Sequence, residues 1–176
     1  MLQNYNKWKV ASQFFDNPLS ELQLREISRN IQLSLPSVKN YLLELEKEGL
    51  ILKKKNRVQG YPVYVANRTD DRFIFYKKID LLDRIHRSGL LQSLYDVFLP
   101  NALILFGSAS KGEDVVGSDI DIFVESKEGK MDLGRYEQIL HRKINLFFEK
   151  DFHKLSKELR NNLLNGIILK GYIKVL

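Results

Sequence analysis

Apolar residues recur every three or four positions in three successive segments of the first third of the chain, which is the spacing of one buried helix face. The second segment follows Ser20, a suitable N-cap, and the third has Pro36 in its first turn and ends at Gly49. Two short runs of apolar and β-branched residues follow, at 50–54 and 61–66. The pattern predicts three helices and then a two-stranded hairpin.

The middle of the chain carries a longer amphipathic segment, residues 70–87, which Ser88-Gly89 interrupts. A second, shorter helical segment at 90–98 ends before Pro100. Two interpretations remain open: core helices packed on a sheet, or a helical linker over residues 70–100 that also supplies a dimer interface. We favour the linker, because DNA-binding proteins often need two-fold symmetry.

A different pattern opens the last third of the chain. An apolar run at 102–106 ends in Gly107-Ser108, and after a polar loop Asp119 and Asp121 stand two residues apart inside a second apolar run. Side chains alternate between the faces of a β-strand, so both aspartates project from one face. The three apolar residues between and after them face the core, and these are Ile120, Ile122 and Val124.

Two carboxylates side by side repel each other and are costly to desolvate unless a positive group lies between them. A divalent cation with oxygen ligands is the obvious candidate, and Mg²⁺ commonly binds one or two carboxylates together with substrate phosphates. Glycine at 107 lets the backbone approach a phosphate, Ser108 offers a hydroxyl donor and Lys111 a positive charge. The alternative is a strand–loop–strand whose exposed face carries two aspartates by chance. We favour the functional interpretation because all the parts occur in order.

Residues 105–124 look like the signature of the nucleotidyltransferase superfamily, the polymerase-β-like fold, and specifically its minimal nucleotidyltransferase branch. Lys111-Gly112 and Ser118-Asp119-Ile120-Asp121 fill the places of that pattern without gaps. The resemblance extends from about Asn101 to the C-terminus, where residues 165–172 are similar to the tail of these domains.

The resemblance implies metal-dependent transfer of a nucleoside monophosphate from an NTP, expected to be ATP, to a hydroxyl, with release of pyrophosphate. The implied cation is Mg²⁺ or Mn²⁺, held by Asp119 and Asp121 as the catalytic carboxylates. The residues implied to bind the nucleotide are Gly107, Ser108, Lys111, Gly112 and Ser118.

The family takes a third acidic residue from the next strand, here the apolar segment 143–149. The matching position is Asn145, which carries no charge and cannot act as a base. Glu149 shares its strand face by parity but lies roughly 13 Å further along. The sequence therefore supports nucleotide binding more firmly than it supports turnover.

Charge is concentrated in the first third: residues 1–69 carry 11 Lys+Arg against 6 Asp+Glu, whereas the rest of the chain is nearly balanced. Such asymmetry suggests a module that faces a polyanion.

The order of helices and basic hairpin at 5–67 resembles a winged helix-turn-helix. That resemblance implies major-groove or phosphate contacts from Ser37, Lys39 and Asn40, and wing contacts to phosphates from Lys53, Lys54, Lys55 and Arg57. The alternative is a protein-interaction module whose lysines are simply solvated.

The amino-acid composition excludes several kinds of site and indicates the cellular compartment. The chain has no cysteine, which excludes disulfides and thiolate zinc sites, and its three histidines lie far apart. It shows no apolar run near 18 residues and no secretory signal, so we expect a cytoplasmic protein without a membrane partner.

The predicted fold class is α+β, with a winged helix-turn-helix at 1–69, a helical linker at 70–100 and a nucleotidyltransferase-like domain at 101–176 that has a small mixed β-sheet flanked by helices. The leading hypothesis is an NTP-binding nucleotidyltransferase fused to a double-stranded-DNA-binding module, with a protein or small-molecule hydroxyl as acceptor. The rival is a transcriptional regulator whose impaired transferase domain serves as nucleotide sensor or dimerisation body. A third hypothesis, from resemblance alone, is an antitoxin that modifies a partner protein. A homodimer is compatible with each.

Overall fold

The computed structural model describes residues 5–55 and 60–174, which form two compact units, Met1–Asp80 and Leu81–Leu176. The limit between the units falls inside one helix, α4 (Asp71–Ser88). The three-part division at residues 69 and 100 stays a prediction. Within the described residues, no helix combines the length and the apolar character needed to cross a membrane.

The first unit contains the three predicted helices and the hairpin, together with one short strand that the pattern did not reveal. Its elements are α1 (Tyr5–Asp16), β1 (Leu22–Gln23), α2 (Leu24–Ile31), α3 (Leu35–Lys47), β2 (Ile51–Lys55) and β3 (Pro62–Ala66). The strands form an antiparallel sheet of order β1-β3-β2. The assignment to the winged helix-turn-helix class stays a prediction.

The second helix begins later than its sequence suggested. Leu22 and Gln23 pair with β3, so their backbone groups serve the sheet and α2 starts at Leu24 instead of near Ser20. Gln23 is the N-cap, and its backbone N–H donates to the Glu26 carboxylate in a capping box. Sheet pairing therefore outweighed the capping preference of serine.

The second unit is built on a four-stranded mixed sheet of order β6-β5-β4-β7. Its elements are α5 (Leu90–Phe98), β4 (Ala102–Phe106), α6 (Gly107–Lys111), β5 (Ile120–Val124), α7 (Gly134–Leu140), β6 (Ile144–Phe148), a 3₁₀ turn (Phe152–Lys154), α8 (Lys157–Leu164) and β7 (Ile167–Gly171). Strand β4 is antiparallel to β5 and β7, whereas β5 and β6 are parallel.

Each face of this sheet has its own apolar cluster. The predicted alternation along β5 is confirmed on one face, where all three apolar side chains are fully buried and cluster with residues from 81–94. Those helical residues thus belong to an apolar core, and a linker or dimer part for segment 70–100 stays a prediction. On the opposite face, Phe106 and Phe123 pack with Phe152 of the 3₁₀ turn and Leu163 of α8. Asp121 has the parity of Phe123, so the carboxylates lie on this second face.

The last strand is held against the sheet by a glycine at a very close backbone approach. Gly171 has φ +78°, and a Cβ there would lie 1.9 Å from the Asn101 carbonyl oxygen. No other residue fits this position without moving the strand. The segment that resembles the tail of the family thus has a steric reason for its glycine.

Glu125 follows β5 on the carboxylate-bearing face and is 8% exposed. Its burial, followed by the nearby Asp151 carboxylate, raises the pKa of Glu125 above the ordinary value of 4.5. His153, Lys174 and the backbone N–H of Phe152 oppose the rise. Because the folded-state pKa is raised, the protonated side chain favours folding below pH 4.5, and this contribution is lost as the pH rises through the folded value.

We predict that Glu125→Gln raises the free energy of unfolding at pH 7 by about 1 kcal/mol, because it removes a buried charge while leaving an acceptor for the Phe152 N–H. Urea unfolding of both proteins between pH 3.5 and 7.5 measures the effect. The gain should shrink towards zero at the acid end. An equal difference at every pH would show that packing, and not the carboxylate charge, is responsible.

Candidate active site

The end of β4 and the beginnings of β5 and β6 lie side by side at one end of the second sheet. Strand β4 ends at Phe106 where the antiparallel β5 begins, and the parallel β6 begins beside it. In this register Asp121 lies opposite Phe106 on one side and opposite Asn145 on the other. The topology therefore gathers Gly107 after β4, Asp119 just before β5, Asp121 within β5 and the first residues of β6.

The side chain of Asn145 joins the two predicted carboxylates. Its Nδ2 donates to Asp119 Oδ2 at 3.1 Å and to Asp121 Oδ1 at 2.9 Å. Both donors of one amide are thus used, one on each carboxylate. The amide supplies hydrogen bonds but no net positive charge, so the mutual repulsion of the two carboxylates is only partly offset.

Gly107 forms the third wall of this site. It has φ +73°, and a Cβ at this position would lie 2.8 Å from Asp121 Oδ2. Any side chain would therefore displace the carboxylate, in addition to the strain of a left-handed backbone. Close approach between this turn and Asp121 is the reason for glycine here.

The loop that follows is closed by its own hydrogen bonds. Ser110 Oγ donates to the Gly107 carbonyl at 2.8 Å, and the Glu113 N–H donates to the Ser108 carbonyl at 3.0 Å. The helix α6 ends at Lys111, and its C-cap Gly112 lies in the left-handed region. Ser108 and Lys111 are exposed, so their side chains are accessible to a ligand.

Ser118 has a structural part in this loop. Its hydroxyl oxygen accepts from the Val115 N–H at 3.0 Å, and its N–H donates to the Val115 carbonyl at 3.0 Å. The hydroxyl thus fixes the turn that leads into Asp119. A nucleotide-binding part for Ser118 stays a prediction.

One functional candidate escaped the sequence analysis. Arg142 is nearly buried and donates to the carbonyls of Ser118 at 2.7 Å and Asp119 at 3.0 Å, and to Asp114 Oδ2 at 2.8 Å. The guanidinium fork therefore ties the loop before β5 to the start of β6, which makes Arg142 a positioning residue. Nothing in the sequence separates it from the other basic residues, because its partners are 23 to 28 residues away.

The donor set suits one divalent cation better than two. Asp119 and Asp121 offer oxygen ligands of the kind that Mg²⁺ or Mn²⁺ prefers. Across residues 5–55 and 60–174, no group of three or more acidic, histidine or cysteine side chains is placed to hold a metal. Glu149 accepts the Asp151 N–H at 3.1 Å.

The residues predicted to touch DNA belong to the first unit. Ser37 lies in the first turn of α3 against the N-cap Ser34, and Lys39 and Asn40 are exposed on the same helix. Three exposed lysines of β2, Lys53, Lys54 and Lys55, line a groove of about 420 Å³ with Gly60 and Pro62. Arg57 lies outside the described residues.

Comparisons with known proteins bear on the second unit. No curated protein and no solved structure matches the chain. Residues 88–173, just under half of the chain, match the family model of the nucleotidyltransferase domain. This span contains Gly107, both aspartates and Asn145, and the match supports a nucleotidyltransferase domain in the C-terminal part of the chain.

Proposed function

We propose that the C-terminal domain binds a nucleoside triphosphate, with ATP as the expected one, together with Mg²⁺ or Mn²⁺. The observation that carries the proposal is the pair of carboxylates held against a glycine turn, where Asp121 Oδ2 leaves no room for a side chain at position 107. Backbone N–H groups of such a turn suit phosphate oxygens. The exposed Lys111 adds a positive charge, and Asp119 and Asp121 would hold the cation.

The reaction that suits this site is transfer of a nucleoside monophosphate to a hydroxyl of a protein or small molecule. The acceptor oxygen forms a bond to the α-phosphorus, the α–β phosphoanhydride bond breaks, pyrophosphate leaves, and the hydroxyl proton passes to solvent. A bound cation supplies charge stabilisation for the phosphates. The chain contributes by orienting the turn at Gly107 and by fixing Asp119 through Arg142.

Asn145 favours the second candidate function, a nucleotide sensor without appreciable turnover. Its amide takes the place where a third carboxylate would neutralise a second cation and receive a proton. An amide can do neither at neutral pH. Binding needs only the two aspartates and the turn, so this substitution separates binding from catalysis.

We expect Asp119→Asn to weaken metal-dependent ATP binding at least about 10-fold, because one of the two ligand carboxylates is lost. Calorimetric titration with ATP in Mg²⁺ and in EDTA measures the effect. Asp96→Asn, an isosteric change on α5 that keeps its acceptor for Gln92, is the matched control and should bind as the wild type does. Equal affinity of all three proteins, or no metal dependence in the wild type, would refute the proposed site.

A second expectation concerns Asn145→Asp, which replaces the amide donor by a third carboxylate. Without metal this variant loses two hydrogen bonds and gains repulsion, at a cost of about 1–3 kcal/mol. Saturating Mg²⁺ should restore its thermal stability and increase transfer of labelled nucleotide to acceptors. Asn145→Ala is the control, because it removes the same donors without adding a ligand. A destabilisation of Asn145→Asp that Mg²⁺ leaves unchanged would contradict this view of the site.

We further propose that the first unit binds double-stranded DNA, either as a monomer or as a homodimer. What supports this is the group of three consecutive exposed lysines on β2 beside the groove at Gly60 and Pro62. Consecutive strand residues alternate in direction, so such a hairpin can meet phosphates on both of its sides.

We expect the triple change of Lys53, Lys54 and Lys55 to Gln to reduce the slope of log Kobs against log [salt] by about 2–3, since each phosphate contact contributes about 0.9. Gel shifts with random-sequence duplex DNA between 25 and 200 mM salt measure it. A charge-matched control carries Gln at three exposed lysines of the second unit, Lys127, Lys130 and Lys150. Equal slopes for both variants would count against the hairpin, and no binding at the lowest salt would count against DNA as a partner.

A further inference from the structure

A cleft beside α8 lies outside the carboxylate site. It has a volume of about 230 Å³ and is lined by residues of the 3₁₀ turn and of α8, namely Phe152, His153, Lys157, Arg160, Asn161 and Leu164. The four from α8 follow the spacing i, i+3, i+4 and i+7, so they occupy one face of that helix. The buried Leu163 belongs to another face and packs towards the sheet.

The lining is basic. It includes the cationic side chains of Lys157 and Arg160 and the imidazole of His153, and no acidic side chain. In the part of the chain that the structure describes, none of these three side chains forms an ion pair. The cationic groups are therefore available to a negatively charged ligand.

The cleft also has an apolar component. Phe152 forms a buried part of its lining, and Leu164 at its rim is 52% exposed. The backbone carbonyl of Asn161 accepts a hydrogen bond from the Asn165 side chain, which leaves the side-chain amide of Asn161 for a ligand. A volume of 230 Å³ accommodates a phosphate group with one ring or a short chain, and is small for a whole nucleoside triphosphate.

The cleft shares a sheet face with the carboxylates. Phe152 packs on Phe106 and Phe123, and Phe106 contacts the ring of Phe147 at 5.2 Å. Asp121 and Asn145 have the parity of Phe123 and Phe147, two residues away on the same strands. Buried aromatic side chains thus connect the cleft lining with the strands that carry the carboxylates.

We propose that this cleft binds the phosphate group of the acceptor, which we infer to be a hydroxyl-bearing phosphate monoester with an apolar or aromatic part. Lys157 and Arg160 contact the phosphate, and Phe152 and Leu164 contact the apolar part. Occupation of the cleft by such a ligand does not depend on the proposed function, whereas its identity as the acceptor rests on that function. The triphosphate itself is expected at the Gly107 turn, on the other side of the aromatic residues.

The test uses phenyl phosphate as the probe with the full chain, followed by heteronuclear NMR titration. Binding should be tighter than for inorganic phosphate and should shift backbone signals of residues 152–164. The double variant Lys157→Gln/Arg160→Gln should bind at least about 10-fold more weakly. Leu164→Ala should remove most of the preference for phenyl phosphate over inorganic phosphate. Lys127→Gln/Lys130→Gln is the charge-matched control and should stay within about twofold of the wild type.

Unchanged affinity in the cleft double variant, or signal shifts confined to residues 107–121, would overturn the proposal. Competition between phenyl phosphate and Mg–ATP would assign the cleft to the nucleotide and would equally end its assignment to the acceptor. Asp119→Asn separates the two proposals, because it should lose metal-dependent ATP binding and keep phenyl phosphate binding. If the wild type failed to bind ATP but bound phenyl phosphate at α8, the proposed function would fail and the phosphate site would stand.

Discussion

The candidate site depends on the electrostatic repulsion between Asp119 and Asp121 and on how it is relieved. Two carboxylates on one strand face must share a positive partner or a set of donors, since each is partly withdrawn from water. Here a single amide, that of Asn145, donates to both. This arrangement satisfies one oxygen of each carboxylate and leaves the remaining oxygens for another partner. The pair is therefore held in place while still offering negative charge to a cation.

The strand pairing, the turn at Gly107 and Arg142 together hold the two aspartates in position. Parallel pairing of β5 and β6 sets Asp121 opposite Asn145, and antiparallel pairing with β4 brings the Gly107 turn against the Asp121 carboxylate. Arg142 fixes the backbone just before β5 through two carbonyls and a nearly buried ion pair. Removal of one partner from such an ion pair is costly, because the other charge is left buried. The loop can therefore vary little in position at Asp119.

Much of this arrangement follows from local sequence. The strand at 102–106 and the alternation along 120–124 are short-range patterns, and the structure has both. Where the sequence predicted a polar loop after Gly107, the structure has the short helix α6, and Asp119 lies just before β5 instead of inside it. Prediction failed where partners are distant in sequence. Strand β1 exists because Leu22 and Gln23 find β3 some 40 residues later, and Arg142 matters because its acceptors lie in another loop. Long-range pairing is invisible to periodicity and to capping rules. The same limit concealed the α8 cleft, whose basic residues look like an ordinary solvated helix face.

The chemistry of position 145 separates what the domain can bind from what it can catalyse. An amide matches a carboxylate in size, and here the Asn145 amide donates to both aspartates. It differs in charge, and charge is what a second cation and proton transfer require. The proposed binding of one cation with a triphosphate would draw on Asp119, Asp121 and the turn at Gly107. The sheet face that bears them continues past Phe106 and Phe147 to the cationic face of α8. The proposed nucleotide site and the proposed phosphate cleft would together suit two phosphate-bearing molecules. The rate of transfer between them would then depend on Asn145, which lacks the charge of a third carboxylate.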